Sequence, residues 1–453
     1  MSDSFWSRYR EALNPAQDAK EVLMRMHDRH ATLDGVRAIT VLLMVMFHVL
    51  FGIVVLFDKN EALIDKFITE FPRYLGWMWQ SQGSDPLFVM CGLLVSYTFF
   101  REFDRTGTLQ IKQFYIKRLK RVMPLFIIAL LIYLPTDKDN LGHLWSNLIF
   151  MSNYIPGERH VIPVGWSLDV QMHFYFVLPF LVLAMYKFKH HLAFLIGLCV
   201  IAFVWRYWVV AHDPEVYETP FYQIIYDSDF GSKLANLLYY DIDVRMGTFF
   251  LGMVVAYIYH YYGHELKIYF RRHVALSAFL TLLGTVLLVG SIALPMDNKY
   301  HPFFDDFSVS INFWFLVADR YVYSLGLSIL IVMALVGSGP ARWLDWILSW
   351  KIWHPVAQLI FPIYLFHFPF IVLAAVLTFW TTDRHAIVEV QTYEVFLLFF
   401  WTVALTLPFS LFTHIFVEKP FINMRSRGEI PKVEKQQSPQ VAPSTLEVAE
   451  EKA

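Results

Sequence analysis

The sequence predicts an all-α fold: a polytopic membrane helical bundle of about ten transmembrane helices, with the N- and C-termini cytoplasmic. Three observations carry this expectation. Hydrophobic residues make up 57% of the 453 residues and charged residues only 17%, where a soluble domain is about a quarter charged. The mean hydropathy is +0.44. Apolar runs of bilayer-spanning length recur along the chain, and the segments joining them are alternately basic and acidic.

In order, the candidate spans cover 38–57, 84–100, 122–136, 167–186, 192–211, 246–262, 273–294, 321–337, 355–378 and 394–417. The second, third and sixth are short. A further apolar piece, "LWSNLIFMSNYI", is too short to span and reads as re-entrant or interfacial. Arg25, Arg29 and Arg37 precede the first span, and "REFDRTGTLQIKQFYIKRLKR" joins the second to the third. On the same side follow "KFKHH", "KIYFRRH", "ARWLDWILSWK" and "EKPFINMRSRG". The opposite side carries "HDPEVYETPFYQIIYDSDFG" and "LPMDNKYHPFFDDF". An excess of Lys and Arg marks cytoplasmic loops, which places both ends in the cytoplasm of a multi-pass protein of the inner membrane. Residues 1–32 form an amphipathic cytoplasmic segment, 33–423 the membrane domain, and 424–453 a polar tail expected to be disordered.

The net charge of -2 reflects segregation of charge rather than its absence. No nucleic-acid partner is expected, and membrane lipids are. Cys91 and Cys199 both lie in apolar runs, which argues against a disulfide framework or a cysteine metal site. The histidines show no ligand spacing, so no metal is predicted. The start, "MSDSFWSRYREALNPAQ", lacks the apolar core of a cleavable signal peptide. No Gly-rich nucleotide loop or G-x-S-x-G elbow occurs.

Polar residues inside the apolar runs are the functional candidates, because an ionisable group within a span is costly. Arg37 and His48 are eleven residues apart. That is about three helical turns, so both share one face, with His48 roughly 16 Å deeper. Arg37 is either a topology anchor or a holder of an anion. His48 is either a helix–helix hydrogen bond or the place where a proton or acyl group is handled. In "FYIKRLKRVMP", Lys117, Arg118 and Arg121 read as a basic loop, either a topology signal or a site for a phosphorylated donor. "VGWSLDVQMHFYFVLP" brings Trp166, Asp169, His173 and Tyr175 to the outer side. There Asp169 and His173, four apart, share a face, and the aromatics suit an interfacial belt equally well. Asp243 and Arg245 in "DIDVRMGTFFLGM" are a local ion pair or part of an acceptor site. His367 in "FPIYLFHFP" lies between Pro362 and Pro369, which predicts a kinked or broken helix.

Taken in order, these motifs resemble the acyltransferase 3 family of integral-membrane acyltransferases, which includes bacterial O-acetyltransferases. "LDGVRAITVLLMVMFH" resembles the family's opening D-G-x-R and its Arg followed by ten residues and a His. "SDPLFVMCGLLVS", "FYIKRLKRVMP", "GWSLDVQMHFY", "RMGTFFLGMVVAY", "YLFHFP" and "VEKPF" resemble the family's later motifs, and the seven run from residue 33 to about 421. The resemblance implies a membrane O-acyltransferase. Its donor would be cytosolic acyl-CoA, acetyl-CoA by the family's habit. Its acceptor would be a hydroxyl outside the cytoplasm, on a sugar of a surface polysaccharide or glycolipid. It implies Arg37 and His48 as the catalytic pair, and Arg118 and Arg121, with Lys117, as donor-binding residues. Trp166, Asp169, His173, Tyr175, Asp243, Arg245 and His367 would shape the acceptor site. Three positions depart from the family pattern: Lys117 for Arg, Cys91 for Ser and Gln171 for Glu. If that glutamate is a general base, this chain lacks it. The alternative reading is a non-enzymatic transporter or flippase of a glycolipid or small molecule, since Pro-broken helices with mid-depth polar residues also suit carriers.

Overall fold

The computed structural model describes residues 5–25, 31–57, 60–81, 83–304 and 307–424. Arg29 and the tail beyond Met424 lie outside the described residues. Among the described residues every regular element is helical. Ten long helices form the body: α1 (Ala31–Leu56), α2 (Asp85–Thr106), α3 (Ile111–Tyr133), α4 (Gly165–Met185), α5 (His191–Ala211), α6 (Met246–Arg272), α7 (Val274–Ala293), α8 (Val309–Val336), α9 (Ile360–Phe379) and α10 (Thr392–Thr413). Among the described residues, nine segments are long and apolar enough to cross a membrane, and they contain all of these helices except α6. Helix α6 is 27 residues long, but its second half, "HYYGHELKIYFRR", is polar. The chain is a multi-pass membrane protein.

Several helices extend beyond the apolar runs that announce them. Helix α3 begins at Ile111, so the basic residues from Lys117 to Arg121 are helical rather than a loop. Lys and Arg are good helix formers, and their long stems let the charges reach water from an apolar helix end. Helix α8 begins at Val309, which places Asp319 and Arg320 ten residues inside it rather than before it. The break predicted around Pro362 falls at Leu359, between the short helix Trp353–Gln358 and α9. Pro362 then sits in the first turn of α9, where its missing N–H has no intrahelical partner to lose. Pro369 remains inside the helix. The piece "LWSNLIFMSNYI" forms the short helix Asn140–Leu148 and a following turn, with Trp145, Leu148 and Ile149 exposed.

Two buried clusters organise the interior. One joins α1, α3, α9 and α10, and the other joins α2, α4, α5 and α6. Close helix approach depends on glycine, as in other membrane bundles. A Cβ on Gly92 of α2 would lie 2.2 Å from the carbonyl oxygen of Phe249, and one on Gly252 of α6 would lie 2.1 Å from that of Val89. The N-terminal segment is two helices, Phe5–Ala12 and Pro15–Leu23, divided at Asn14, whose side chain caps the second by accepting from the Gln17 N–H at 3.3 Å. They pack on one end of the bundle. Lys419 Nζ meets Glu21 at 2.7 Å, and the Arg25 guanidinium donates to the Ser349 carbonyl at 2.7 Å. That end carries the basic connections, and the acidic ones lie at the other.

Candidate functional site

His48 comes from the middle of α1 and His367 from the first half of α9, and they meet inside the first cluster. His367 Nε2 and His48 Nδ1 are 3.1 Å apart. The environment of His367 fixes which atom carries each proton. Its Nδ1 lies 2.9 Å from the carbonyl oxygen of Tyr364 and 3.1 Å from that of Ile363. Carbonyls only accept, so Nδ1 holds the proton and Nε2 is a bare lone pair. His48 therefore donates through Nδ1–H. The Met44 carbonyl, one turn back, also accepts from the His48 ring. The result leaves His48 Nε2 unprotonated, the form a base or nucleophile needs. His367 is fully buried, whereas His48 keeps partial exposure. The sequence grouped His367 with the outer residues; the structure places it against His48.

At the basic end, Asp34 gathers Arg37 at 3.7 Å, Arg25 at 3.5 Å and His354 Nδ1 at 2.9 Å. Arg121 lies within electrostatic range of Arg37 and pairs with Glu418 at 3.5 Å. Glu418 also accepts from His414 at 2.7 Å, inside the helical turn His414–Glu418 that follows α10. Arg118 lies on aromatic faces, 4.9 Å from the Tyr175 ring centroid and 5.2 Å from that of Phe114. A contact with the π-faces does not consume the guanidinium N–H donors, which remain for an anion. Lys117 is exposed on the same helix. Tyr175, expected beside the acceptor, is thus under the basic cluster. It lies nine residues beyond Trp166 and so roughly 13 Å further along α4.

Two departures from the family pattern touch one another. The Gln171 amide donates to the Tyr175 hydroxyl at 2.7 Å and to the Cys91 sulfur at 3.3 Å. An amide nitrogen and a weakly accepting thiol replace what would be a carboxylate facing a hydroxyl. In this chain the pair links α2 to α4 and buttresses Tyr175 beneath Arg118, and Gln171 has no carboxylate to take a proton.

The outer residues divide. Trp166 and Arg245 come together: the Arg245 guanidinium lies 5.5 Å from the Trp166 ring and 4.6 Å from Tyr239. Arg245 and Asp85 form a fully buried ion pair at 3.2 Å, Arg320 joins Asp85 at 2.7 Å, and Ser84 accepts from Arg245 at 2.7 Å. The Asp169–His173 pairing does not form. Side chains on a helix lean toward its N-terminus, so Asp169 reaches back to the turn Ser152–Tyr154. There it accepts from the Ser152 N–H at 2.7 Å and from the Ser152 hydroxyl. His173 instead stacks on Tyr154, with ring centroids 5.6 Å apart. Asp243 accepts from the Trp205 indole at 2.7 Å rather than pairing with Arg245. Beside it, burial pushes the Asp241 carboxyl up to about 6, and the Asp243 charge adds to the rise.

Sequence reasoning missed Asp85, Asp319 and Arg320 as site candidates. The signal was a charged pair, Asp319–Arg320, next to an apolar run. Starting that span at 321 put the pair outside the membrane helix. Among the described residues no group of three or more His, Cys, Asp or Glu gathers as metal ligands would.

The all-helical bundle of the described residues, taken with its family match, defines the class: a multi-pass membrane acyltransferase domain. The family model described as an acyltransferase domain matches residues 30–415, and the chain belongs to the acyltransferase 3 family. It is 22% identical over 410 residues to a "Putative O-acetyltransferase" of Staphylococcus aureus (strain COL), covering 86% of this chain and 56% of that protein. It is 23% identical over 368 residues to the peptidoglycan O-acetyltransferase OatA of Listeria monocytogenes, covering 76% and 49%. It is 24% identical over 321 residues to nose resistant to fluoxetine protein 6 of Caenorhabditis elegans, covering 62% and 38%. The chain spans about half the length of the first two. No solved structure matches.

Proposed function

We propose that the protein moves an acyl group, acetyl in the simplest case, from cytosolic acyl-CoA to a sugar hydroxyl on the far side of the inner membrane. The observation that carries this reading is the bare Nε2 of His48, held by the His367 hydrogen bond inside the bundle, with an arginine cluster at one end. Arg37, Arg118 and Arg121, with Lys117, hold the phosphates of the donor, and the thioester reaches inward along α1. His48 Nε2 takes the proton of the acceptor hydroxyl as that oxygen bonds to the thioester carbonyl carbon. The carbon–sulfur bond then breaks, and the CoA thiolate takes the proton from the imidazolium. A positioned base of this kind contributes about 10²–10⁴-fold. Support for the donor side comes from Arg118, held at the basic end against the Phe114 and Tyr175 rings. Support for a sugar acceptor comes from the Listeria relative, which is named for peptidoglycan.

The test is incubation of membranes containing the full chain with radiolabelled acetyl-CoA, following CoA release and base-labile label in carbohydrate. His48→Ala is expected to lower CoA release by about 100-fold or more. Arg118→Ala is expected to raise the KM for acetyl-CoA by about tenfold, since a charge-assisted contact contributes roughly 1.5–3 kcal/mol. A folded, inserted His48→Ala protein with full activity would sink the reading.

A further inference from the structure

We infer that the acceptor sugar ring binds in the cavity between the short helix Arg73–Trp79 and the loop after α7, not in the Trp166–Arg245 cluster. This inference rests on the reading proposed above. The cavity has a volume of about 210 Å³ and is lined by Trp77, Trp79, Gln80, Asp297 and Asn298, among others. Leu50 and Val54 of α1 also line it, two and six residues past His48. At about 1.5 Å per residue, its wall therefore begins within one turn of His48 on the far side from Arg37. Trp79 bridges the two regions. Its ring lies 5.5 Å from that of Phe47, and the Phe47 ring lies 5.0 Å from that of His48.

The chemistry of the lining suits a pyranose. Indole faces cover the apolar C–H face of a sugar ring while their edges remain polar. Planar amide and carboxylate groups meet the ring's hydroxyls, each of which donates and accepts. One of these groups is incompletely used. Gln80 is 6% exposed, and its Nε2 donates to the Leu294 carbonyl at 2.5 Å and to Asp297 Oδ1 at 2.7 Å. Two acceptors facing one end of the amide fix which end is nitrogen, so the other is oxygen. That Oε1 is buried with no hydrogen-bond partner in the protein, a state that costs roughly 1–3 kcal/mol. A shift of the Gln80 amide toward the cavity it lines would let this oxygen accept from a sugar hydroxyl. Beside it, Gly76 leaves room for Asp297: a Cβ there would sit 3.3 Å from Asp297 Oδ2. Burial pushes the Asp297 carboxyl above its ordinary range, against the pull of Gln80 and Arg73. The Trp166 cluster offers less access, because Arg245 is fully enclosed and held by Asp85.

Saturation-transfer difference NMR on the full chain in lipid nanodiscs tests this directly. The probe is an equimolar mixture of the methyl glycosides of glucose, galactose, mannose and N-acetylglucosamine. Transfer to ring protons of at least one glycoside is expected in the wild type. It should fall about fivefold or more in Trp77→Ala and Gln80→Leu, as loss of one stacking or hydrogen-bonding contact predicts. Trp205→Phe, at the other outer cluster, should leave it unchanged. Trp77 is exposed, so its replacement does not endanger folding. No transfer in the wild type, or equal transfer in both cavity variants, overturns the assignment. CoA release without glycoside binding removes this site and leaves the acyl-transfer reading standing; glycoside binding without CoA release does the reverse.

Discussion

His48 and His367 are 319 residues apart in the chain, and one hydrogen bond between them sets what each can do. His367 touches no reacting atom in the proposed mechanism and acts by positioning. It accepts the Nδ1–H of His48 and so keeps Nε2 bare. Replacing it with phenylalanine removes the acceptor, leaves the Met44 carbonyl as the hydrogen-bond partner of the ring, and loosens the choice of tautomer. The expected loss in kcat is about tenfold to a hundredfold, part of the roughly 10²–10⁴ that a positioned base supplies, with KM for acetyl-CoA nearly unchanged. His367→Gln retains an acceptor oxygen and should recover most of that loss. Steady-state kinetics on the three proteins decide it: if glutamine and phenylalanine are equally impaired, His367 serves packing alone. The shared face of Arg37 and His48 was legible from spacing. The histidine pair was not, because no local pattern links a residue in the first long helix to one in the ninth. The Asp169–His173 pairing failed for a local reason that spacing omits. A carboxylate in the first turns of a helix leans toward the preceding loop and takes the backbone N–H it finds there.

The helices themselves were legible wherever apolar residues ran on, and their ends were not. Helices α3 and α8 start about eleven or twelve residues before the apolar runs that suggest them: α3 continues toward water on Lys, Arg and Gln, whereas the first turns of α8, "VSINFWFLVADR", are mostly apolar and are cut off from the later run by Asp319 and Arg320. Ser308 caps the start of α8, accepting from the Ile311 N–H at 3.4 Å. Between helices, glycine sets the approach. Helices α2 and α6 are in contact at Gly92 and Gly252, where backbone faces backbone. Since a carbonyl oxygen cannot move aside as a flexible side chain can, even one methyl group must separate the helices. Gly92→Ala is therefore expected to destabilise the bundle by about 1–3 kcal/mol, the usual range for overpacking. It should also weaken activity, because Cys91 beside it supports Gln171. Gly197→Ala in α5 is the control, since its Cβ meets nothing within 4 Å. Thermal unfolding in detergent should show a lower midpoint for the first and an equal or higher one for the second.

Across the whole molecule, charge and chemistry share one axis. The basic connections and the arginines proposed to bind the donor lie at the end where the N-terminal helices and the end of α10 meet, held by Lys419–Glu21 and His354–Asp34. The opposite end carries Asp65, which gathers Lys299 at 2.9 Å and Tyr226 at 2.7 Å, together with the cavity that we assign to the sugar. His48 lies between. If α6 crosses as well as the nine apolar segments, the chain returns to its starting side, and the excess of Lys and Arg there leads us to propose that this side faces the cytoplasm. The orientation has a functional consequence: acyl-CoA exists only inside the cell, so the arginine end must face inward for the proposed reaction to run. Single cysteines in a background with Cys91 and Cys199 replaced test this. Thr382→Cys, on the exposed loop between α9 and α10, should react with a membrane-impermeant maleimide in intact cells. Glu11→Cys, on the exposed face of the first short helix, should react only once the membrane is opened. The reverse pattern would put the arginine cluster outside, away from any CoA, and would remove the donor assignment while leaving the fold intact. Equal labelling of both positions in sealed cells would break the two-ended arrangement itself, because an impermeant reagent cannot reach opposite faces of a bilayer.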